Sequence, residues 1–114
     1  MARTSVVTQQ ITRAGLAPVL TEPTVDGDVI DAGAVFLYVD NASAGAVTVT
    51  AVTPVTVDGL ALADSPVSVP AGESRLIGPF PPRTFGQPAG SADAGRVYVD
   101  YSAQTSVTRA VVSF

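Results

Sequence analysis

Short runs in which apolar and polar residues alternate, separated about every ten residues by glycine- and proline-bearing turns, confine this chain to β-structure. The clearest run is Ala34 to Asp40, where Val35, Leu37 and Val39 share one side and Phe36 and Tyr38 the other. Both sides are apolar, so the strand is either central or has one face packed on a partner. Asn41 to Gly45 reads as a hairpin loop into a second strand, Ala46 to Val52, with Val47, Val49 and Ala51 inward and Thr48 and Thr50 outward.

The remainder follows the same grammar. Pro54 confines Val55 to Val57 to an edge or a separate short strand, because proline cannot donate to a ladder. Asp58-Gly59 and Pro70 to Gly72 are turns, which leaves Leu60 to Ala63, Pro66 to Val69 and Glu73 to Phe80 as strands. Arg83 to Gly86 is a further short strand before a Gly/Ala/Ser/Asp loop from Gln87 to Gly95. Arg96 to Ser102, with Val97, Val99 and Tyr101 inward, and Val107 to Phe114 complete the set. No window carries a helical stripe with caps. The expected fold is therefore all-β, a compact, jelly-roll-like β-sandwich of about seven to nine short strands. Residues 34–114 form it. Residues 1–33 offer Val6 to Thr12 as a strand, but from Gly15 onward alternation is lost among Pro18, Pro23, Gly27 and acids. This part is expected to be an extended arm or wrapping segment.

Composition decides what such a sandwich can do. The apolar residues are mostly Val and Ala, with 4 Phe, 3 Tyr and no Trp, so the core is thin and gains from neighbouring molecules. There is no Cys and no His, which removes disulfides, thiol nucleophiles, the usual triads, and zinc or haem ligand sets. No cofactor is expected. The 6 basic residues are all Arg and stand against 10 acids, a formal charge of -4 without basic clusters, which argues against nucleic acid as a partner. No apolar run reaches bilayer length, no secretory h-region follows the start, and no membrane partner is expected.

The motifs that remain are weak. Gly72-Glu73-Ser74 opens like a nucleophile elbow, but Leu76 replaces the second glycine, so a turn leading into a strand is the better reading. Asp26, Asp28 and Asp31 form the one acidic cluster, yet they depart from a calcium loop in glycine position, and Leu37 stands where the bidentate Glu belongs. Tyr98 and Asp100 share a strand face, either lining a groove or facing solvent. Asn41-Ala42-Ser43 fits a glycosylation sequon but reads as a loop tip, and Pro79 to Pro82 reads as a strand terminator. An enzyme is not expected.

The second half carries wording of its own. It runs from Val67 through Pro70-Ala71-Gly72 and Arg75-Leu76-Ile77-Gly78-Pro79-Phe80-Pro81 to Phe85-Gly86-Gln87, then through Arg96 to Ala103 and Thr105 to Thr108. Together with the Val39 to Ser43 segment, it resembles small virion proteins of tailed phages and prophages of actinobacteria. The resemblance covers residues 35–114 and, more loosely, the start of the chain. It implies a capsid decoration or cement protein, made in the host bacterial cytoplasm and located on the virion surface. Its partners are then the major capsid protein and copies of itself, a trimer by preference, with no catalytic residues to carry over. Arg3 and Arg13, the only basic residues before Arg75, are candidate contacts to an acidic capsid surface, or else solvated arm residues. Phe36 and Tyr38, on one face of their strand, are candidate partner-binding residues, although Phe36, Tyr38, Phe80, Phe85 and Phe114 read first as core. The alternatives are a head–tail connector, neck or tail protein, and a carbohydrate- or receptor-binding module, which the absence of Trp disfavours.

Overall fold

The computed structural model describes residues 3–54, 56–61, 64–90 and 92–113. Its strands are β1 (Thr4–Ser5), β2 (Thr8–Gln10), β3 (Asp28–Ile30), β4 (Val35–Asn41), β5 (Val47–Ala51), β6 (Thr56–Val57), β7 (Leu60–Ala61), β8 (Ser65–Val69), β9 (Ser74–Ile77), β10 (Val97–Tyr101) and β11 (Val107–Ser113). A single helical turn, α1 (Pro82–Phe85), separates β9 from β10. The strands form a five-stranded sheet in the order β1-β3-β10-β5-β8 and a four-stranded sheet in the order β2-β11-β4-β9, while β6 and β7 pair with each other. Consecutive strands β3, β4 and β5, and again β8 to β11, alternate between the two sheets, which is jelly-roll-like winding. The all-β sandwich expected from the alternation is the fold observed. Among the described residues no helix is long and apolar enough to cross a membrane.

The period-two pattern sets the core. Val35, Leu37 and Val39 of β4, with Val107 and Val111 of β11, face Val47, Val49 and Ala51 of β5 and Val97, Val99 and Tyr101 of β10 across the sandwich. Ile30, Val69 and Phe80 complete it. Burying each Val or Leu contributes about 1.5–3 kcal/mol against the chain's ordering entropy. β6 and β7 are joined by Asp58-Gly59, both at positive φ (51° and 79°), the backbone of a type I′ turn.

Three sequence expectations change. The loop Asn41 to Gly45 is not a hairpin, because β4 pairs with β11 and β9 while β5 pairs with β10 and β8. It arches from one sheet to the other around the buried Asn41 side chain. The Asn41 amide donates to the carbonyls of Gly45 and Val69, each at 2.9 Å, and its oxygen accepts from the Ser43 N–H at 3.0 Å. Arg83 to Gly86 is not a strand: Pro82 suits the first helical turn, where its missing N–H is not needed, and Phe85 N–H bonds back to Pro81. Phe85 then packs edge-on against Phe80, ring centres 5.6 Å apart.

The third change concerns the segment expected as an extended arm or wrapping segment: from Arg3 onward it wraps along the sandwich and contributes strands to both sheets. β1 runs parallel to β3 at one edge of the five-stranded sheet, and β2 runs parallel to β11 at one edge of the four-stranded sheet. β3 is an inner strand, with Asp28, Val29 and Ile30 all buried. The backbone of an extended chain can satisfy an open sheet edge without any side-chain alternation, so irregular sequence did not prevent incorporation. Val55, Leu62, Ala63 and Phe114, which the expected strands include, lie outside the described residues.

Candidate interaction surface

The outer face of the four-stranded sheet is where two of the expected site residues meet. Alternation sends Phe36 and Tyr38 outward from β4 while Val35, Leu37 and Val39 go inward. The register then fixes their neighbours. Phe36 lies beside Val112 of β11, and Tyr38 lies between Ala110 of β11 and Leu76 of β9. After β2 the chain turns at Thr12 to Gly15 and doubles back, held by the Gln9 side chain, which bonds both N–H and carbonyl of Val19 at 2.9 Å, and by an antiparallel bridge from Thr21 to Arg109. This returning segment places Leu16 and Pro18 along one side of the sheet face.

The result is an apolar groove of about 560 Å³. Val112, Phe36 and Tyr38 form its floor, Leu16 and Pro18 one wall, and Leu76 the other. Leu76 is 70% exposed, and Val7, Ile11, Val19 and Val25 of the N-terminal segment are also exposed apolar side chains. In the structure the shared face of Phe36 and Tyr38 points outward, whereas sequence reasoning read both side chains first as core. That reasoning also missed Leu16, Pro18 and Leu76, because nothing local signals that the chain returns after residue 15.

Arg3 and Arg13 part company. Arg3 is engaged within the chain: it pairs with Asp100 at 2.7 Å, donates to the Val99 carbonyl, and lies 4.4 Å from the centre of the Tyr98 ring. The Tyr98 hydroxyl donates to Asp93 at 2.7 Å, and that hydrogen bond holds the phenol pKa above its ordinary value. Arg3 thus lies across part of the outer face shared by Tyr98 and Asp100, which stays half in solvent. Gly27, at φ 90°, makes room for this arrangement: a side chain there would meet the Arg3 guanidinium, and Asp100 within 2.6 Å. Arg13 is exposed on the turn at Thr12 to Gly15 and has no ion-pair partner among the described residues.

The acidic cluster separates in space. Asp31 accepts from Thr8 at 2.5 Å and lies 3.4 Å from Arg96, at the surface. Asp28 turns into the interior, where the Arg109 guanidinium grips it through Nε at 2.6 Å and a second nitrogen at 3.2 Å. Arg109 also donates to the Thr21 carbonyl and hydroxyl, so four of its five N–H groups are engaged by Asp28 and Thr21. The pair is almost wholly buried (4% and 0% exposed) and bridges the two sheets. Beside it, burial first and the Asp28 charge second raise the Tyr101 phenol pKa, and the Tyr101 hydroxyl has no hydrogen-bond partner among the described residues. Asp28 is therefore a structural counter-ion. No cluster of three or more metal-binding side chains occurs among the described residues.

Compared with protein-family models, with curated proteins and with solved structures, the chain matches none.

Proposed function

We propose that this chain is a structural protein of a tailed-phage virion that decorates or cements the capsid surface, acting through contacts rather than chemistry. One observation carries the reading: the apolar groove on the four-stranded sheet, next to a segment whose Val7, Ile11 and Val19 remain exposed. Contiguous apolar surface on a small folded domain marks a contact with another macromolecule. The resemblance of residues 35–114 to small phage virion proteins supports the major capsid protein as that partner. A thin Val-rich sandwich also suits a role in which many symmetry-related copies share stability with the shell.

The test is to mix the purified protein with expanded capsids of the encoding phage and follow co-sedimentation and capsid melting. Saturable binding at high copy number, with a raised capsid melting temperature, is the expected result. Absence of binding at every maturation stage refutes the proposal. Ring-shaped oligomers at low copy number in an electron-microscopy map of the particle would move the chain to the neck or tail.

A further inference from the structure

We propose that the Arg13–Ala14 bond is a processing site for an arginine-specific protease, and that cutting it leaves the sandwich folded while freeing one wall of the groove. This does not depend on the virion reading. The chain has 6 arginines and no lysine, so a protease of trypsin-like specificity meets only these as candidate bonds, and all of them lie among the described residues. Such an enzyme takes its substrate as an extended strand, with the arginine side chain free to enter a pocket. The sandwich closes most of the bonds. Arg109 is buried in β11, and Arg75 lies within β9, paired with Glu73 at 2.8 Å. Arg96 leads into the inner strand β10 and holds Ser5 and Asp31, while Arg3 is engaged by Asp100 and Tyr98 beside β1. Cutting at any of these requires a strand to leave its sheet.

Arg83 is exposed but belongs to α1. There the N–H groups of Thr84, Phe85 and Gly86 bond to the Pro81 and Pro82 carbonyls at 3.1, 3.0 and 3.0 Å, and Phe85 packs on the buried Phe80. Arg13 differs on every count. Residues 11–15 are all exposed, and no strand or helix includes residues 11–27. Arg13 and Ala14 are the central pair of a turn closed by one backbone bond, Gly15 N–H to the Thr12 carbonyl at 3.0 Å, and by the Thr12 hydroxyl donating to the Gly15 carbonyl at 3.3 Å. Arg13 has no ion-pair partner among the described residues. A loop tip of small and polar residues opens at low cost, and folded proteins are nicked at such places.

Hydrolysis consumes one water. The C–N bond between Arg13 and Ala14 breaks, the water oxygen leaves Arg13 with a carboxylate, and both water hydrogens end on the Ala14 nitrogen as an ammonium. The fragment ending at Arg13 stays seated. Thr4 N–H bonds to Gly27 at 3.1 Å and Val6 N–H to Val29 at 2.9 Å, β2 remains paired with β11, and Arg3–Asp100, Arg96–Ser5 and Thr8–Asp31 add side-chain ties. Beyond Gly15, the next hydrogen bonds among the described residues are at Val19, to the Gln9 side chain, and at Thr21, to Arg109. Leu16 and Pro18, which wall the groove, therefore lie on a segment with one free end once the bond is cut. Cleavage turns a fixed wall into a flap and opens the floor of Val112, Phe36 and Tyr38 to a partner.

Trypsin at a low ratio to the folded full chain tests this, followed by intact mass, gel filtration and fluorescence of anilinonaphthalene sulfonate, a dye for apolar surface. The first cut should fall at Arg13, on the order of a hundred-fold faster than at any other arginine, with a gain in mass of one water. Both fragments should co-elute in buffer and separate only in denaturant, with circular dichroism unchanged. Dye fluorescence should rise about two- to three-fold as the wall is freed. Arg13→Gln, at an exposed position, should abolish the first cut and the dye response together. A first cut at Arg83 or elsewhere, loss of the N-terminal fragment under native conditions, or a cut without a dye response would overturn the proposal.

Discussion

Two arginine–aspartate pairs tie the N-terminal segment to the last strands, and they differ in little except their surroundings. Arg3 meets Asp100 at 2.7 Å and Arg109 meets Asp28 at 2.6 Å, and each pair has a tyrosine beside it, Tyr98 outside and Tyr101 inside. The outer pair is half in solvent, with Asp100 50% exposed, whereas the inner pair is sealed between the sheets. Equal distance does not mean equal energy. Water screens the first pair to a small net effect, while the second is held in a medium where losing either partner strands a charge.

The comparison is broken most severely at the inner pair. Asp28→Asn or Arg109→Met alone is expected to lose about 3–5 kcal/mol in urea denaturation, because the remaining charge stays buried without its partner. The double replacement Asp28→Leu with Arg109→Met should recover much of that loss. A single variant within about 1 kcal/mol of wild type would show that the interior is wetter than the structure indicates.

The tyrosines sharpen the contrast at high pH. In the folded chain Tyr101 stays protonated above the ordinary phenol value near 10, while in the unfolded chain it ionises there. Above pH 10 the unfolded state thus binds fewer protons, so stability falls as pH rises, by up to about 1.4 kcal/mol per pH unit. Below pH 10 this contribution is fully present. Tyr98 shifts in the same direction through Asp93 but from the surface. Comparing denaturation at pH 8 and pH 11 in wild type and Tyr101→Phe separates the two. The variant should lose most of the alkaline slope, and an unchanged slope would assign it elsewhere.

The outer pair should yield the smallest effect. Arg3→Gln is expected to cost about 0.5–1 kcal/mol at low salt, and less as ionic strength rises. A salt-independent loss of more than about 2 kcal/mol would mean that Arg3 acts through packing on Tyr98 rather than through its charge.

Legibility in the sequence followed alternation closely. β4, β5, β10 and β11 were readable because each buries one face, and the same alternation put Phe36 and Tyr38 on one side, though not which side is outward, since both read first as core. β3 was not, since all three of its residues are buried and the first is an aspartate, a pattern that makes sense only once Arg109 is in place 81 residues later. The arch at Asn41 was unreadable because a five-residue loop can fold back within a sheet or cross to the other, and the choice rests on carbonyls of Val69 and Pro70. α1 is a single turn, too short to show a period. The groove was half legible: its floor came from alternation, its Leu16–Pro18 wall from a chain reversal that no local motif announces.

The edge strands β1 and β2 also set an order of events during synthesis. Arg3 leaves the ribosome 97 residues ahead of Asp100, and β2 leaves correspondingly early relative to β11. Through that interval β2 has no partner strand, β1 has only the short β3, and Asp28 waits in water for its counter-ion. Closure of the sandwich is thus a late, concerted step that joins segments made far apart in time. Such distant pairings place folding on the slow side for a domain this small, at about milliseconds to seconds. During that time the exposed Val and Ile of the early segment are open to capture by a chaperone, or by another copy still being made.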